Sequence, residues 1–292
     1  MRFRCIRAHE SQFDIRMMCR LMEVSVSGYY RWRERPPAAR TIRDADLIDR
    51  LKEHHRLSRQ TYGRPRLQAA LRNDGVCVSG KRVRRLMKLG GIVVCTRRRY
   101  KVTTNSKHRL AVAPNVLERK FDIDVIGSAN RCWAGDITYI ATREGWLYLA
   151  VILDLFSRRV IGWSMSREMK SVLVIDAFMM AVGRRRPPRG LIAHSDRGIQ
   201  YASRPFQRVL RRYGAVCSMS RRGDCWDNAV IESFNATIKT ELLHRHEWET
   251  RAAARAAVYE YIETWYNARR LHSTLGYQSP MTFEEQRSAT AA

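Results

Sequence analysis

Length, composition and charge narrow the function before any motif is considered. The 292 residues are 45% hydrophobic, so the chain can bury a sizeable core and wholesale disorder is disfavoured. A formal net charge of +26 points to a polyanionic partner, with nucleic acid ahead of a membrane. No apolar run approaches the roughly 20 residues that span a bilayer, and no secretory leader is visible.

Short helices are predicted for residues 1–40, a segment that ends at a Pro-Pro pair. Apolar residues at helical spacing are followed by "SVSG", which favours a turn. A longer helix restarts in "TIRDADLIDRLKEHH", with Thr41 as its N-cap. The residues predicted along its inward face are Ala45, Ile48 and Leu51 or Lys52.

The next two helices form a predicted helix-turn-helix. "YGRPRLQAALRNDG" suits a helix with Pro65 in its first turn, and "VSGKRVRRLMKLGG" suits a second helix capped by Ser79 and stopped by Gly-Gly. The outer face of the second helix is expected to contact DNA through Lys81, Arg82, Arg84, Arg85 and Lys88. A tight turn and a basic second helix favour this interpretation. A solvated basic face on a structural helix is the alternative.

Positive charge is concentrated before residue 110. Residues 1–110 carry 28 basic and 9 acidic side chains, whereas residues 111–292 carry 26 and 19. The first part is therefore the stronger candidate for contacting phosphates. The predicted division of the chain is an N-terminal helical segment (1–40), a helix-turn-helix-like DNA-binding domain (41–96), a basic linker (97–125), a core domain (126–285) and a tail (286–292).

After residue 125 the pattern changes from helices to strands. "RCWAGDITYIAT" alternates, and "GWLYLAVILDLFSRRVIGWSMS" holds two apolar runs with a predicted hairpin at "DLFSRR". "LIAHSD" and "AVCSMS" are predicted strands between helices, and two helices follow near the C-terminus. The order β-β-β-α-β-α-β-α-α indicates a mixed α/β fold.

Seven scattered cysteines argue against a zinc module. The chain contains no Cys-x-x-Cys pair, and an odd number of cysteines suits free thiols in a reducing cytoplasm. His54 and His55 adjoin each other, but no cysteine pair follows at ligand spacing. We therefore expect a cytoplasmic protein without structural zinc.

Three carboxylates stand where the α/β pattern could bring side chains together. Asp136 lies within the first strand, Asp196 at the end of the fourth, and Glu232 in the first half of a later helix. Three acids at one point would repel and raise one another's pKa, a penalty that divalent ions remove. Oxygen-only ligands suit Mg²⁺ or Mn²⁺, and two such ions support phosphoryl transfer. The three acids are therefore predicted to be catalytic and to hold two metal ions.

Basic residues near these acids are candidates for DNA contacts. Lys239 follows Glu232 by seven residues, nearly two helical turns, so both share one face, whereas Glu241 should face elsewhere. Arg221 and Arg222, in "RRGDCWDN", suit a mobile loop over the DNA. Simple solvation of these three basic side chains is the alternative interpretation.

Other polar residues near the acids leave two interpretations open. Asp154 in "VILDLF" could cap the hairpin or support the metal site. His194 and Asn228 could orient ligands or the phosphate, or could hydrogen-bond within the core. Packing of the C-terminal helices, rather than base stacking, is expected for Trp265, Tyr266 and His272.

Several motifs together resemble those of one group of DNA-rearranging enzymes. "WAGDITYI", "HSDRGIQY" and "DNAVIESFNATIKTE", with 35 residues between Asp196 and Glu232, resemble the DDE core of retroviral-type integrases and bacterial transposases. "YGRPRL", "VSGKRVRRLMK", "DCWDNAVIESF" and "YNARRLHSTLGYQSP" resemble the larger-frame transposase of the insertion-sequence-three family. The resemblance covers nearly the whole chain.

The resemblance implies a fold, an activity and partners. The implied fold is a ribonuclease-H-like mixed sheet with flanking helices, preceded by an all-α helix-turn-helix region. The implied activity is metal-dependent cleavage and strand transfer at the terminal inverted repeats of an insertion sequence. Implied partners are double-stranded element and target DNA, further copies of the chain on DNA, and the upstream-frame protein to which this family is often fused. The implied location is the bacterial cytoplasm, at the nucleoid.

Two other functions remain open from the residues alone. A hydrolytic nuclease of the same fold would use the same acids, and strand-joining products would separate it from a transposase. A non-enzymatic DNA-binding regulator would explain the charge and the helix-turn-helix, but it gives no reason for three spaced carboxylates.

Overall fold

The computed structural model describes residues 1–36, 38–94, 110–221 and 224–291. Arg222 and the predicted linker up to residue 109 lie outside these ranges. The N-terminal part is helical, as the sequence predicts. Its helices are α1 (Arg2–Ala8), α2 (Ile15–Leu21), α3 (Val26–Glu34), α4 (Ala39–Leu57), α5 (Arg64–Asn73) and α6 (Gly80–Leu89).

The first three helices share a small core of their own. Its buried members are Ile6, Met18, Cys19 and Tyr29. The predicted turn at "SVSG" is wrong, because the Ser25 hydroxyl accepts a hydrogen bond from the Gly28 N–H at 3.0 Å and caps α3. N-capping by serine starts a helix at the point where turn chemistry was expected.

Helix α4 starts earlier than predicted, and its inward face differs. Ala38 occupies the N-cap position without a side-chain hydrogen bond, so Thr41 lies inside the helix. The buried residues of α4 are Asp44, Leu47, Leu51 and His55. The predicted face was wrong at Ala45 and Lys52, which are exposed. An acid can take an inward position here because arginines from α6 compensate its charge.

Helices α5 and α6 form the predicted pair and pack against α4. Pro65 lies in the first turn of α5, Ser79 caps α6, and Gly90 ends it. Val83 and Leu86 of α6 are fully buried. Burial of each such aliphatic side chain contributes about 1.5–3 kcal/mol, which fixes the orientation of α6 on its neighbours.

The basic face of α6 is only partly outward. Arg82 and Arg85 both donate to the Asp44 carboxylate, with Nη2···O distances of 2.7 and 2.5 Å. Hydrogen bonds from Arg85 and Arg82 hold the pKa of Asp44 below its usual value. The expected outward placement is therefore wrong for Arg82, which is half-buried. Arg85 is exposed, but its guanidinium group is paired with Asp44. The remaining basic residues of this face are exposed, namely Lys81, Arg84 and Lys88.

A five-stranded mixed sheet forms the centre of the second half. Strands β1, β2 and β3 form an antiparallel meander, while β4 is parallel to β1 and β5 is parallel to β4. Their bounds are β1 (Cys132–Thr142), β2 (Gly145–Asp154), β3 (Val160–Ser166), β4 (Ile192–Ser195) and β5 (Val216–Met219). The order across the sheet is β3-β2-β1-β4-β5. The predicted mixed α/β fold and the order of its strands are confirmed, whereas the short helix after the fourth strand and the last helix were not predicted.

Helices cover both faces of this sheet because β2 is apolar on both sides. The helices of this half are α7 (Ile123–Ile126), α8 (Ser171–Arg185), α9 (Ile199–Ala202), α10 (Arg204–Arg212), α11 (Ala229–Glu241), α12 (Arg251–Glu260) and α13 (Pro280–Ala291). Leu149 and Val151 pack in one core with α11 and α12, whereas Ala150 and Ile152 pack in another with α8 and α10.

The helix-turn-helix region and the sheet region share one apolar core. Leu51 and Leu67 belong to the same cluster as Ile231 of α11. Tyr62 OH accepts a hydrogen bond from the Leu271 N–H at 2.7 Å, which adds a polar contact between the two regions. The C-terminal residues Trp265, Tyr266 and His272 are buried, as expected for packing. Among the described residues, no helix is long and apolar enough to cross a membrane.

Candidate active site

The register of the sheet places two of the predicted acids side by side. Strand β1 pairs in parallel with β4, and Gly135 stands opposite Ser195 at the last pair. Each of these two residues is followed by a predicted acid, Asp136 on β1 and Asp196 just after β4. Parallel pairing therefore brings both carboxyl groups to the same edge of the sheet.

Hydrogen bonds hold the Asp136 carboxyl group in place, but its surroundings disfavour the charged form. Its Oδ1 accepts from the Ile137 N–H at 2.9 Å, and its Oδ2 accepts from Asn235 Nδ2 at 2.7 Å. Burial, followed by the negative charges of Asp196 and Glu232, raises the pKa of Asp136 to about 8. Near neutral pH the carboxyl group thus retains a proton unless a cation compensates its charge.

A tight turn fixes Asp196. Its Oδ1 accepts a hydrogen bond from the Gly198 N–H at 2.9 Å. A Cβ at position 198 would lie 2.9 Å from the same oxygen, so the turn requires glycine for this close approach. Asp196 is half-buried beside the end of β4, where its charge acts on both other acids.

Helix α11 brings the third acid over the sheet edge. Glu232 lies in its first turn, and burial together with the charge of Asp196 raises the pKa of Glu232. Asn235, one turn further on, donates to Asp136 and so fixes this face of α11 toward β1. The structure thus brings together the three acids that the sequence predicts as a site.

The donor chemistry of this cluster fits a hard divalent cation. Among the described residues, no three His, Cys, Asp or Glu side chains are placed so that together they could hold a metal ion. Asp196 nevertheless raises the pKa of both Asp136 and Glu232, and Asn235 Oδ1 is buried without a hydrogen-bond partner among the described residues. Carboxylate and amide oxygens are ligands that Mg²⁺ and Mn²⁺ accept, so the residues present suit such an ion.

Comparisons with known proteins agree with this architecture. Residues 128–225 and 213–280 match two families described as Integrase core domain, and residues 41–100 match the HTH-like domain family. The chain is 40% identical over 295 residues to Transposase InsF for insertion sequence IS3A of Escherichia coli (strain K12). That match covers 99% of this chain and 100% of the relative. The chain belongs to the IS3 transposase family.

Other relatives extend the comparison. The Insertion element IS600 uncharacterized 31 kDa protein of Shigella sonnei is 41% identical, covering 94% of this chain and 100% of the relative. A simian T-cell lymphotropic virus intasome chain gives a TM-score of 0.46 at 18% identity, covering 74% of this chain and 70% of that chain. The HTLV-2 integrase catalytic core domain in complex with magnesium gives a TM-score of 0.41 at 22% identity, and the match covers 54% of this chain and 98% of that chain. This member of the IS3 transposase family is a polynucleotidyl transferase with an integrase core domain and an HTH-like domain.

Lys239 of the transposase lies under the surface near the acids. Its side chain shares the catalytic face of α11, as the helical period predicts, but the residue is only 8% exposed. Its Nζ stands 5.3 Å from the centroid of the Tyr139 ring, and burial lowers the pKa of Lys239 while Asp136 raises it. The expected DNA contact of Lys239 stays a prediction, since most of this side chain is covered.

An ion pair with Asp227 anchors Arg221, and its expected contact with DNA stays a prediction. Its guanidinium donates to the fully buried Asp227 carboxylate through Nε at 2.9 Å and Nη2 at 2.8 Å. Arg119 donates to the same carboxylate at 2.7 Å. Hydrogen bonds from Arg221, with a further contribution from Arg119, lower the pKa of Asp227 far below its usual value. The sequence signal for this ion pair was Asp227, the second aspartate of "DCWDN", and the prediction did not use it.

The open interpretations of two other residues resolve to structural roles. His194 is buried between Ser218 Oγ and the Asp227 carbonyl oxygen, each 2.9 Å from a ring nitrogen. Burial lowers the pKa of His194 to about 4, so the ring is neutral. Asp154 caps the β2–β3 hairpin by accepting from backbone N–H groups, including that of Phe156 at 2.9 Å.

The sequence interpretation missed Tyr201, which stands beside the acids. Its hydroxyl is buried without a hydrogen-bond partner among the described residues. Burial and the charges of Asp136 and Asp196 raise the pKa of Tyr201 well above its usual value. Gly135 makes room for the ring, since a Cβ there would lie 3.2 Å from the Tyr201 hydroxyl. The final tyrosine of "HSDRGIQY" was the available signal.

Proposed function

We propose that this transposase cleaves and joins insertion-sequence ends by metal-dependent phosphoryl transfer at Asp136, Asp196 and Glu232. The observation that carries the proposal is the convergence of three acids from β1, the end of β4 and α11, with the pKa of Asp136 raised to about 8. A fold gains no stability from collecting mutually repelling carboxylates, so a function that binds cations is the physical reason for the arrangement.

The three carboxylates would together hold two Mg²⁺ or Mn²⁺ ions. Bound ions would lower the pKa of an attacking hydroxyl and offset charge on the phosphate. The protein's own contribution is orientation: Asn235 and the Ile137 N–H hold Asp136, and the Gly198 N–H holds Asp196. Because both aspartates are fixed before DNA arrives, little reorganisation remains for the reaction.

The proposed reaction proceeds in two displacements. Water attacks the phosphorus at an element end, the bond from phosphorus to the 3′-oxygen breaks, and a 3′-hydroxyl is released. That hydroxyl then loses its proton, attacks a phosphorus of target DNA and displaces another 3′-oxygen, which takes up a proton to become a free 3′-hydroxyl. Each step exchanges one phosphorus–oxygen bond for another, so no covalent bond between protein and DNA is required.

DNA binding is proposed for the basic surfaces of the HTH-like domain. The exposed residues of α6 would contact phosphates of the terminal inverted repeats first, namely Lys81, Arg84 and Lys88. Arg82 and Arg85 would support that helix through Asp44 and reach DNA only at their outer nitrogens. Assembly of several copies on element and target DNA, contact with an upstream-frame protein, and a place at the bacterial nucleoid belong to the same proposal.

Replacement of Asp196 by asparagine tests the proposed chemistry. Asp196→Asn should abolish cleavage and strand transfer on labelled element ends with Mg²⁺, while the affinity for those ends stays within about twofold. Asp176→Asn, an exposed acid on α8, is the matched control and should retain full activity. Strand transfer by folded Asp196→Asn protein at the wild-type rate would exclude the proposed site.

A further inference from the structure

A cavity lies on the opposite side of α11 from the three acids. Its volume is about 290 Å³, and its α11 wall includes Val230, Ser233 and Thr237. At 100° per residue, these positions point more than 90° away from Glu232. The other walls come from α5 through Arg66, from the β2–β3 hairpin, and from the segment after Tyr266.

Three arginines line this cavity, and Arg270 is the one that forms an ion pair among the described residues. Arg270 pairs with Glu241, with Nη2 and Oε1 2.8 Å apart. Arg66 Nε donates to the Leu271 carbonyl oxygen at 3.0 Å, and Arg158 Nη2 donates to the Phe121 carbonyl oxygen at 2.7 Å. Within the described ranges, neither Arg66 nor Arg158 forms an ion pair with a carboxylate. The charges of Asp154 and Asp122 act on Arg158 without an ion pair, so the guanidinium groups of Arg66 and Arg158 lack a direct carboxylate partner among the described residues.

The three arginines line the cavity together with His272. Burial, together with the charges of Arg270, Arg66 and Arg158, lowers the pKa of His272 well below its usual value. The imidazole is neutral as a result, so it adds no charge to the cavity. Like charges that line one cavity are costly unless an anion shares the space.

One buried donor in the wall has no acceptor. Arg158 is 8% exposed, and its Nη1 has no hydrogen-bond partner within the described part of the chain. A buried guanidinium N–H without an acceptor is unfavourable, because it has lost its hydrogen bonds to water. Hydroxyl groups stand at the rim of the same cavity, on Ser233, Thr237, Ser273 and Thr274. Guanidinium and hydroxyl donors around a concave site are the chemistry that recognises phosphate oxygens.

We propose that this cavity binds a phosphate group, with Arg66, Arg158 and the rim hydroxyls as donors. Two sources share that chemistry, the backbone of bound DNA and a free phosphate ion. The site is separate from the proposed metal site and does not depend on it. A backbone phosphate there would connect α5 of the HTH-like domain with the helix that carries Glu232.

Thermal unfolding of the full chain tests the cavity with inorganic phosphate as the probe. Wild-type protein should gain several degrees of unfolding temperature in phosphate relative to chloride at equal ionic strength, because a ligand that binds only the folded state stabilises it. Thr274→Glu places a negative charge at the exposed rim and should remove this gain. Ser128→Glu adds the same charge at an exposed position outside the cavity and should keep it. Arg158→Gln should also remove the gain if it folds.

Duplex binding in the same variants distinguishes the two sources. If the phosphate belongs to DNA, Thr274→Glu should weaken duplex affinity about fivefold relative to Ser128→Glu, the equivalent of about 1 kcal/mol. Loss of phosphate stabilisation with unchanged duplex affinity would assign the cavity to a free ion. Equal phosphate responses and equal duplex affinities in wild type and Thr274→Glu would overturn the proposal. Asp196→Asn should bind phosphate like wild type, so failure of the metal site would not affect this outcome.

Discussion

The charged form of Asp136 is disfavoured by the fold itself. Its carboxyl group lies beside two other acids, and the backbone N–H of Ile137 and the amide of Asn235 offset only part of that cost. A residue selected for stability alone would be neutral at this position. The cost becomes useful only when a cation is present, and this is why such shifted groups mark functional sites.

Metal-free protein should lose stability as the pH rises. The pKa of Asp136 is 3.8 in its reference state and about 8 in the fold, so the folded state holds the proton more tightly. This contribution to stability is fully present below pH 3.8 and is lost as the pH rises through 8. In chelator at pH 8.5, the free energy of unfolding of Asp136→Asn should exceed that of wild type by a few kcal/mol, because each pKa unit corresponds to ~1.4 kcal/mol. Near pH 4 the two proteins should differ little.

Denaturant unfolding at the two pH values measures this difference. Asp176→Asn, at an exposed position, serves as the control and should follow the wild-type curve. A wild-type curve that runs parallel to that of Asp136→Asn from pH 4 to 8.5 would show that the buried carboxyl group is not perturbed.

At the scale of one element, α11 carries two acids with different tasks. Glu232 faces the sheet edge, whereas Glu241 is 5% exposed and accepts hydrogen bonds from Tyr261 OH at 2.8 Å and from Arg270. The helical period predicts that Glu241 points elsewhere, but it does not reveal that the residue is buried with a cation. Glu241 therefore contributes to stability, whereas Glu232 on the same helix is the proposed metal ligand.

Amide substitutions at the two positions should have opposite effects. Glu232→Gln should remove strand transfer without lowering the unfolding temperature, because it removes a charge that Asp196 repels. Glu241→Gln should leave Arg270 buried without its counter-charge and lower stability by about 3–5 kcal/mol. Denaturant unfolding and a strand-transfer assay on the folded fraction distinguish the two. Loss of transfer in folded Glu241→Gln, with activity retained in Glu232→Gln, would mean that the third acid is misassigned.

Helix α6 offers a second separation, between DNA contact and structural support. Neutralising Lys81, Arg84 and Lys88 together should reduce the slope of log affinity against log salt by up to about three, at ~0.9 per lost phosphate contact, with stability unchanged. Replacing Arg82 and Arg85 should instead lower stability, because Asp44 loses both partners. Fluorescence anisotropy over a salt series measures the slope. An unchanged slope in the triple variant would assign the exposed face to solvent.

Local patterns predicted the elements, but not the choice of partners between them. Alternation and helical spacing placed Asp136, Asp196 and Glu232 on their correct elements, because those signals lie within a few residues of each acid. The pairing of Arg82 with Asp44 spans 38 residues, and nothing local distinguishes a paired arginine from a solvated one. Helix α13 was missed for a related reason, since its few apolar residues gain meaning only against a neighbouring surface.

On the scale of the whole molecule, the apolar interior is divided into separate cores. Leu67 of α5 belongs to the large core that reaches α11 and α12, so the HTH-like domain is packed on the integrase core. Tyr29 belongs to the small core of α1 to α3, which shares no member with the large one. Elements that share a core unfold together, and a separate core can open alone.

Truncating a buried side chain should therefore destabilise different parts of the molecule in the two cores. Leu67→Ala removes a fully buried side chain and should cost about 2–5 kcal/mol, lowering the main cooperative transition that includes the integrase core. Tyr29→Ala should open α1 to α3 and leave that main transition in place. Calorimetry gives the transition temperatures, and hydrogen exchange shows which amides lose protection. If Tyr29→Ala lowered the main transition as much as Leu67→Ala, the N-terminal helices would be part of the same cooperative unit.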